Sequence, residues 1–248
     1  MHLDLTGVPV IITGAASGIG RACAVAFVAE GAMVAAIDRD AAALAGLAAE
    51  LPGLVAVPAD VTDETAMAAA VAHAAGELGG LAVAIACAGT SGPFGTAVDE
   101  ISLADWNRVL AVNVTGQFLL VKHALPYLRR SSAASIVLMG SDSGFVAAPG
   151  MLPYNASKGA VVQLTRALSV DLAADGIRVT CVCPSIVDTP MARADLGLDS
   201  FAGVGYPVQS AEDVARSVLF LASPATRTVN GTTLVSDFGY LARSSFPA

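Results

Sequence analysis

Short apolar runs alternate with longer stretches of helical periodicity along the chain. Residues 8–13, 33–38, 54–58, 81–87, 135–139, 178–182 and 232–235 read as strands, apolar at most positions. Helical patterns fill the intervals at 18–29, at 41–51, from about 63, at 102–130 with a break early on, at 153–174 and at 210–221. Asp63 and Glu64 put carboxylates in a first helical turn, where the helix dipole favours them. Ser210 reads as an N-cap, with Glu212 and Asp213 behind it. Strands that are apolar without alternation are buried on both faces, and parallel neighbours need right-handed crossover helices. The expected fold is α/β: a Rossmann-like, doubly wound, seven-stranded parallel sheet with helices on both faces, forming one domain over residues 1–248. Ligands bind such a sheet beyond the carboxyl ends of its strands, so chemistry-bearing residues should follow strands directly.

Hydrophobic residues make up 55% of the chain and charged residues only 14%. That excess asks for a generous core, for surface covered by partner subunits, or for a membrane. No membrane segment is expected, because runs such as 81–88 end well short of the roughly 18 apolar residues that a spanning helix needs. The net charge of −8 disfavours a nucleic-acid partner. Cys23, Cys87, Cys181 and Cys183 lie in apolar stretches without metal-type spacing. Reduced thiols in a cytoplasmic protein, and no metal, are expected. Strand alternation is expected to turn only one of Cys181 and Cys183 toward a given side. His2, His73 and His123 are isolated from other reactive groups and read as surface or packing residues.

After the first strand comes a glycine-rich loop, Thr13-Gly14-Ala15-Ala16-Ser17-Gly18-Ile19-Gly20. Glycines there permit tight turning and close approach of the backbone to a pyrophosphate. The helix that follows offers unpaired N–H groups and the positive end of its dipole. A structural turn would use glycines too, but the strand-loop-helix context favours a dinucleotide. Asp38 ends the second strand, at the distance where a carboxylate receives ribose hydroxyls and repels a 2′-phosphate. Arg39 beside it could instead pair with that phosphate. Alternation should aim the two side chains apart, with Asp38 facing the ribose, so NAD is the expected cofactor.

Tyr154-Asn155-Ala156-Ser157-Lys158 places a phenol and an ammonium one helical turn apart on one face. Lys158 is one of only two lysines in the chain. An ammonium favours the phenolate of a neighbouring tyrosine, and alcohol oxidation needs a base to take the hydroxyl proton. Such a pair alone is weak evidence. It joins a set of motifs in order: 13–20, Asp60-Val61, Ala88-Gly89, Asn113, Ser141, Tyr154 with Lys158, and 184–189. With this set the chain resembles the short-chain dehydrogenase/reductase family over nearly its whole length.

The resemblance implies a function and a site. The protein would be an NAD(H)-dependent oxidoreductase interconverting a secondary alcohol and a ketone. Ser141, 13 residues before Tyr154 and followed by Gly144, would hold the substrate oxygen. Tyr154 would transfer the proton, and Lys158 would bind the nicotinamide ribose and support Tyr154. Asn113 would anchor a water that links Lys158 to solvent, besides bending or capping its helix. Gly14, Ser17, Gly18, Ile19 and Gly20 would carry the pyrophosphate, and Asp38 the ribose. Asp60 and Val61 would contact adenine, with Ala88 and Gly89 beside them. Pro184, Ile186, Val187 and Thr189 would border the nicotinamide. Three departures stand out. Ala86 and Cys87 stand where the family often has the two asparagines of an Asn-Asn-Ala-Gly run. Ser185 follows Pro184 where glycine is usual. The run Val235-Ser236-Asp237 replaces a common Asp-Gly-Gly.

The family's substrate walls come from loops after strands four, five and six. Here they would present Ser91, Phe94, Phe145, Met151, Met191 and Tyr206. Residues 190–208 carry Gly197, Gly203 and Gly205 and read as a mobile lid. The apolar character favours a hydrophobic or cyclic substrate, though many of these side chains could equally pack on the core or on a second subunit. A 3-oxoacyl carrier-protein reductase shares the same motifs, and would need a basic docking surface such as Arg129 and Arg130. A non-catalytic dinucleotide sensor would have relaxed Ser141, Tyr154 or Lys158. The Ala- and Leu-rich helices at 102–130 and 153–174, with apolar Tyr240, Leu241 and Phe246 near the C-terminus, point to a homo-oligomer, most simply a tetramer.

Overall fold

A computed structural model describes residues 2–243. Seven parallel strands form one sheet: β1 (Pro9–Thr13), β2 (Met33–Asp38), β3 (Val55–Pro58), β4 (Val83–Ala86), β5 (Ser135–Met139), β6 (Arg178–Pro184) and β7 (Thr233–Ser236). Their order is β3-β2-β1-β4-β5-β6-β7. The order reverses between β1 and β4, which opens a crevice at their carboxyl ends. The helices are α1 (Gly18–Ala29), α2 (Ala41–Glu50), α3 (Glu64–Leu78), α4 (Leu103–Leu110), α5 (Gly116–Leu128), α6 (Leu152–Asp171), α7 (Pro190–Leu196) and α8 (Ala211–Ala222). The seven-stranded, doubly wound sheet is the one that the apolar pattern implied.

Side-chain alternation divides the core into two layers. Val10 and Ile12 of β1 join Phe27 of α1, Leu44 of α2 and Val218 of α8 on one face. Ile11 joins Met67 of α3, Leu120 of α5 and Val161 of α6 on the other. Each side chain of this size contributes roughly 1.5–3 kcal/mol when fully buried, so both faces stabilise the sheet. The same alternation corrects the expectation for β6. Val182 faces the layer of α1 and α8, while Cys181 and Cys183 both face the other layer. Residues two apart share a face, and the two sulfurs are 3.6 Å apart.

The apolar stretch at 102–130 is divided as its early break suggested. α4 and α5 are joined by a π-helical turn, Ala111–Thr115, which carries Asn113. Together α4, the turn and α5 make a 26-residue helix, Leu103–Leu128, long and apolar enough by composition to cross a membrane. Its inner face packs into the core through Val109, Leu119, Leu120, Ala124 and Leu128, all buried. Residues 190–196, read from sequence as part of a glycine-rich lid, instead begin with the helix α7. Its N-cap is Thr189, whose hydroxyl accepts the Ala192 N–H at 3.2 Å, and Gly197 ends it in the left-handed region.

Arg178, at the start of β6, is buried and has no carboxylate partner among the described residues. Its guanidinium donates to the carbonyls of Leu221, Ala222, Ser223 and Val229. Leu221 and Ala222 end α8, where the helix dipole favours a cation. Burial pulls the Arg178 pKa down, but the group stays charged at neutral pH. Arg178→Met would strand these carbonyls in the interior. It is expected to lower stability by about 3 kcal/mol, since each charged hydrogen bond is worth roughly 1.5–3 kcal/mol. Denaturant unfolding checks this: a midpoint equal to that of the wild type would remove Arg178 from the account.

Candidate active site

The carboxyl ends of β1, β2, β4, β5 and β6 converge on the crevice. The glycine loop after β1 is built for close approach. Gly14 is left-handed at φ +66, and a Cβ there would lie 2.7 Å from the Ala88 Cα. A Cβ on Gly20 would lie 2.0 Å from the Gly14 carbonyl oxygen, so α1 can begin only against bare backbone. Gly18, at φ +51, faces Thr189 across the crevice, with only 3.4 Å between a Cβ on it and the Thr189 Cγ2. Ser17 sits at the N-cap of α1, yet its hydroxyl makes no capping bond. These residues leave a cradle that any larger side chain would fill, with a free hydroxyl and the N-terminus of α1 at its floor. They fit the diphosphate of a nicotinamide dinucleotide.

Asp38 is half-buried beside this loop. Its Oδ2 accepts the Ala16 N–H and its Oδ1 the Asp40 N–H, both at 3.0 Å. A carboxylate offers about four acceptor positions, so capacity remains for ribose hydroxyls. The N-cap of α2 is Asp40, whose carboxylate accepts the Ala43 N–H, so Asp38 is not spent on capping that helix. Arg39 is exposed. Asp60 is held below the usual carboxylate range, chiefly by the Thr62 backbone N–H, with further help from the Thr62 hydroxyl and the Arg39 charge. Val61 is buried and packs on Gly116, the first residue of α5.

A polar network lies behind the crevice. Lys158 is 4% exposed, and its Nζ donates to the Met139 carbonyl at 2.9 Å. The same ammonium lies 5.4 Å from the centre of the Tyr154 ring. Asn113 is fully buried in the π-turn. Its amide donates to the Thr90 carbonyl and the Ser157 hydroxyl, and its oxygen accepts the Thr90 N–H at 2.8 Å. The loop after β4 is thereby tied to α6. Ala88 adds a long contact from its N–H to Thr13 Oγ1 at 3.4 Å, and Gly89 stands beside Asn113 and Lys158. The loop therefore holds its course without the asparagine side chain that Cys87 replaces.

Ser141 follows β5 and is buried. Its oxygen accepts the Ser143 N–H at 3.1 Å, opening a 3-10 turn over Asp142–Gly144. The turn lies against α6, since a Cβ on Gly144 would sit 2.9 Å from the Lys158 carbonyl oxygen. That contact explains the glycine of the Ser-x-x-Gly pattern. Pro153 suits the first turn of α6, and Tyr154 follows it half-buried. Ser141, Tyr154, Lys158 and Asn113 thus stand on elements in direct contact.

At the carboxyl end of β6, Pro184, Val187 and Thr189 are buried and Ile186 is more open. Ser185 donates its N–H to the Ser236 carbonyl at 3.0 Å, so a serine fits where the family prefers glycine. Gln209 links this segment to β7 through its backbone and through paired side-chain bonds with Ser236. Phe94, Phe145, Met191 and Tyr206 are exposed around the mouth, and Met151 is half-buried. Ser91 differs from these: it is buried, and its hydroxyl donates to Asp195 of α7 at 2.7 Å. Reasoning from sequence missed Thr90, Ser157 and Gln209. Ser157, within the Tyr-x-x-x-Lys stretch, was the one with a local signal.

A family model described as enoyl-(acyl carrier protein) reductase matches residues 14–241. The chain is 40% identical to momilactone A synthase of Oryza sativa subsp. japonica, over 98% of its own length and 93% of the relative's. It is 38% identical to cis-4-hydroxycyclohexanecarboxylate dehydrogenase of Sinomonas cyclohexanicum, over 94% and 96% of the two chains. The crystal structure of 3-ketoacyl-(acyl-carrier-protein) reductase from Brucella melitensis complexed with NADH superposes with a TM-score of 0.88, at 30% identity, covering 95% of this chain and 99% of that one. With matches of this length joined to the geometry of the crevice, the chain belongs to the short-chain dehydrogenase/reductase family, enzymes that oxidise CH–OH groups or reduce the matching carbonyls with a nicotinamide dinucleotide.

Proposed function

We propose that the protein is an NAD(H)-dependent dehydrogenase that interconverts a hydrophobic or cyclic secondary alcohol and its ketone. The observation that carries this reading is the buried Lys158 ammonium beside the Tyr154 ring, on a helix that also packs against the Ser141 turn. A bound nicotinamide would supply the hydride acceptor for oxidation and the donor for reduction. Ser141 gives its hydroxyl proton in a hydrogen bond to the substrate oxygen, which orients the carbinol. Tyr154 takes the hydroxyl proton during oxidation and returns it during reduction. Lys158 favours the deprotonated phenol by its charge, and Met139 and the Asn113 network hold Lys158 in place. The exposed apolar side chains at the mouth would cover the carbon skeleton of the substrate, and α7 with the segment to 208 forms its lid. A relative whose name specifies a hydroxyl on a cyclohexane ring supports the cyclic class. Turnover of a panel of secondary alcohols with NAD tests this reading.

Asp38 supports NAD over NADP. The expected result is a clear kcat/KM preference for NAD(H), because the carboxylate would lie against a 2′-phosphate. Equal or better use of NADP(H) would show that Arg39 dominates, and Asp38→Ala would then change little.

A 3-ketoacyl carrier-protein reductase is the second reading, favoured by the fold match. That neighbour was solved with NADH, so NAD use alone does not separate the two readings. The candidate docking arginines argue against it. Arg129 is paired with Asp175, and Arg130 stands 6.0 Å over the Tyr127 ring.

A homotetramer completes the proposal. Phe118 of α5, Leu103 of α4 and Val170 of α6 leave large apolar surface outside the core. Tyr240 and Leu241 extend that character, while Phe246 lies outside the described residues. Light scattering at micromolar concentration should report a mass near four chains of 24.8 kDa, and a single-chain mass would refute the assembly. The four free thiols fit a reducing compartment such as the cytoplasm.

A further inference from the structure

The Ser141 hydroxyl has one proton, and in this structure that proton is already engaged. Its oxygen accepts the Ser143 N–H at 3.1 Å, and the hydroxyl donates to Asp142 Oδ1 at 3.0 Å. A serine hydroxyl cannot donate to two acceptors at once without weakening both bonds. A substrate oxygen that takes this proton therefore leaves the Asp142 carboxylate without its donor, one hydrogen bond from the reacting group. The cation and carboxylates of α7 and its approach are engaged elsewhere. Arg193 pairs with Asp188, Asp195 accepts the Ser91 hydroxyl, and no ion pair among the described residues includes Asp142. Asp142 is half-buried, so losing a donor there costs more than it would in open water.

We infer that Asp142 determines specificity by selecting substrates with a second hydrogen-bond donor beside the reacting carbinol, as in a vicinal diol and its α-hydroxy ketone. The inference rests on the function proposed above and on Ser141 holding the substrate oxygen. The second hydroxyl donates to Asp142 as the Ser141 hydroxyl turns its hydrogen bond to the substrate oxygen, so neither Ser141 nor Asp142 loses a partner. Only the first carbinol reacts. Its carbon loses a hydride to the nicotinamide and its oxygen loses a proton to Tyr154, forming a ketone. The second hydroxyl is retained. The apolar walls then read the carbon skeleton, and Asp142 reads the substituent next to the reacting carbon.

The test compares cyclohexanol with the cis and trans 1,2-cyclohexanediols, using NAD and the full chain. Wild-type protein should show kcat/KM about tenfold higher for at least one diol, the scale of one hydrogen bond to a charged group. Asp142→Ala should remove that preference, and Asp142→Asn, which keeps the shape of the turn, should reduce it. Equal or better turnover of cyclohexanol by the wild type would overturn the role of Asp142 while leaving the dehydrogenase reading intact. A diol preference that survives both substitutions would overturn it as well. Failure to oxidise any of the three alcohols, with dinucleotide binding confirmed by calorimetry, would overturn the dehydrogenase reading for this class and the inference with it.

Discussion

Tyr154→Phe is expected to lower kcat about a thousandfold while dinucleotide binding persists. A positioned acid–base group typically contributes roughly 10²–10⁴-fold. The substitution removes the phenolic oxygen and keeps the ring. The backbone carbonyl of Tyr154 still accepts the Ser157 hydroxyl at 2.7 Å, and Pro153 still starts the helix. The glycine loop and Asp38 are untouched, so the cradle for the dinucleotide remains. Steady-state turnover of a secondary alcohol and calorimetric titration with NAD read the two effects separately. A variant that keeps most of the wild-type rate would show that another group moves the proton.

Lys158→Met should act on both quantities. The rate is expected to fall about a hundredfold, from loss of the charge that favours the deprotonated phenol. NAD affinity should weaken too, because two of the three ammonium protons remain after the bond to Met139 and are available to the ribose. The fold should survive, since Gln117 Nε2 still donates to the Met139 carbonyl at 3.2 Å. The two variants therefore carry different signatures: chemistry alone for Tyr154, chemistry and binding for Lys158. Unchanged NAD affinity in Lys158→Met would remove the ribose contact from the account, and an unchanged rate would remove the lysine from the site.

Features with a local period were legible in the chain. Ile11 against Val10 and Ile12 divides the two core layers by simple alternation. Gly14, Gly18 and Gly20 stand between a strand and a helix, and each meets a close contact that excludes a side chain or adopts a left-handed backbone. Tyr154 and Lys158 share a face because they are four residues apart. Features that depend on distant partners were not legible. Ser91 finds Asp195 across 104 positions, and nothing near either residue announces the bond. Arg178 is satisfied entirely by backbone carbonyls, which carry no side-chain signature. The network of Asn113 joins Thr90 and Ser157 only because the π-turn, the loop after β4 and α6 meet in space. α7 was hidden by the glycines that follow it, although Thr189 and Pro190 form an ordinary helix start. The two cysteines of β6 share a face because they stand two residues apart on a strand.

Hydride transfer itself can be followed with a secondary alcohol carrying deuterium on the carbinol carbon. Wild-type protein, NAD and the labelled alcohol would be mixed and both products analysed by mass spectrometry. The expected products are ketone and reduced dinucleotide in equal amounts, with the deuterium in the dinucleotide, and label transfer about a thousandfold slower in Tyr154→Phe. Ketone formed without deuterium in the dinucleotide, or label transfer at the wild-type rate in the Tyr154→Phe variant, would contradict the assignment of Tyr154 as the base of an NAD-linked alcohol dehydrogenase.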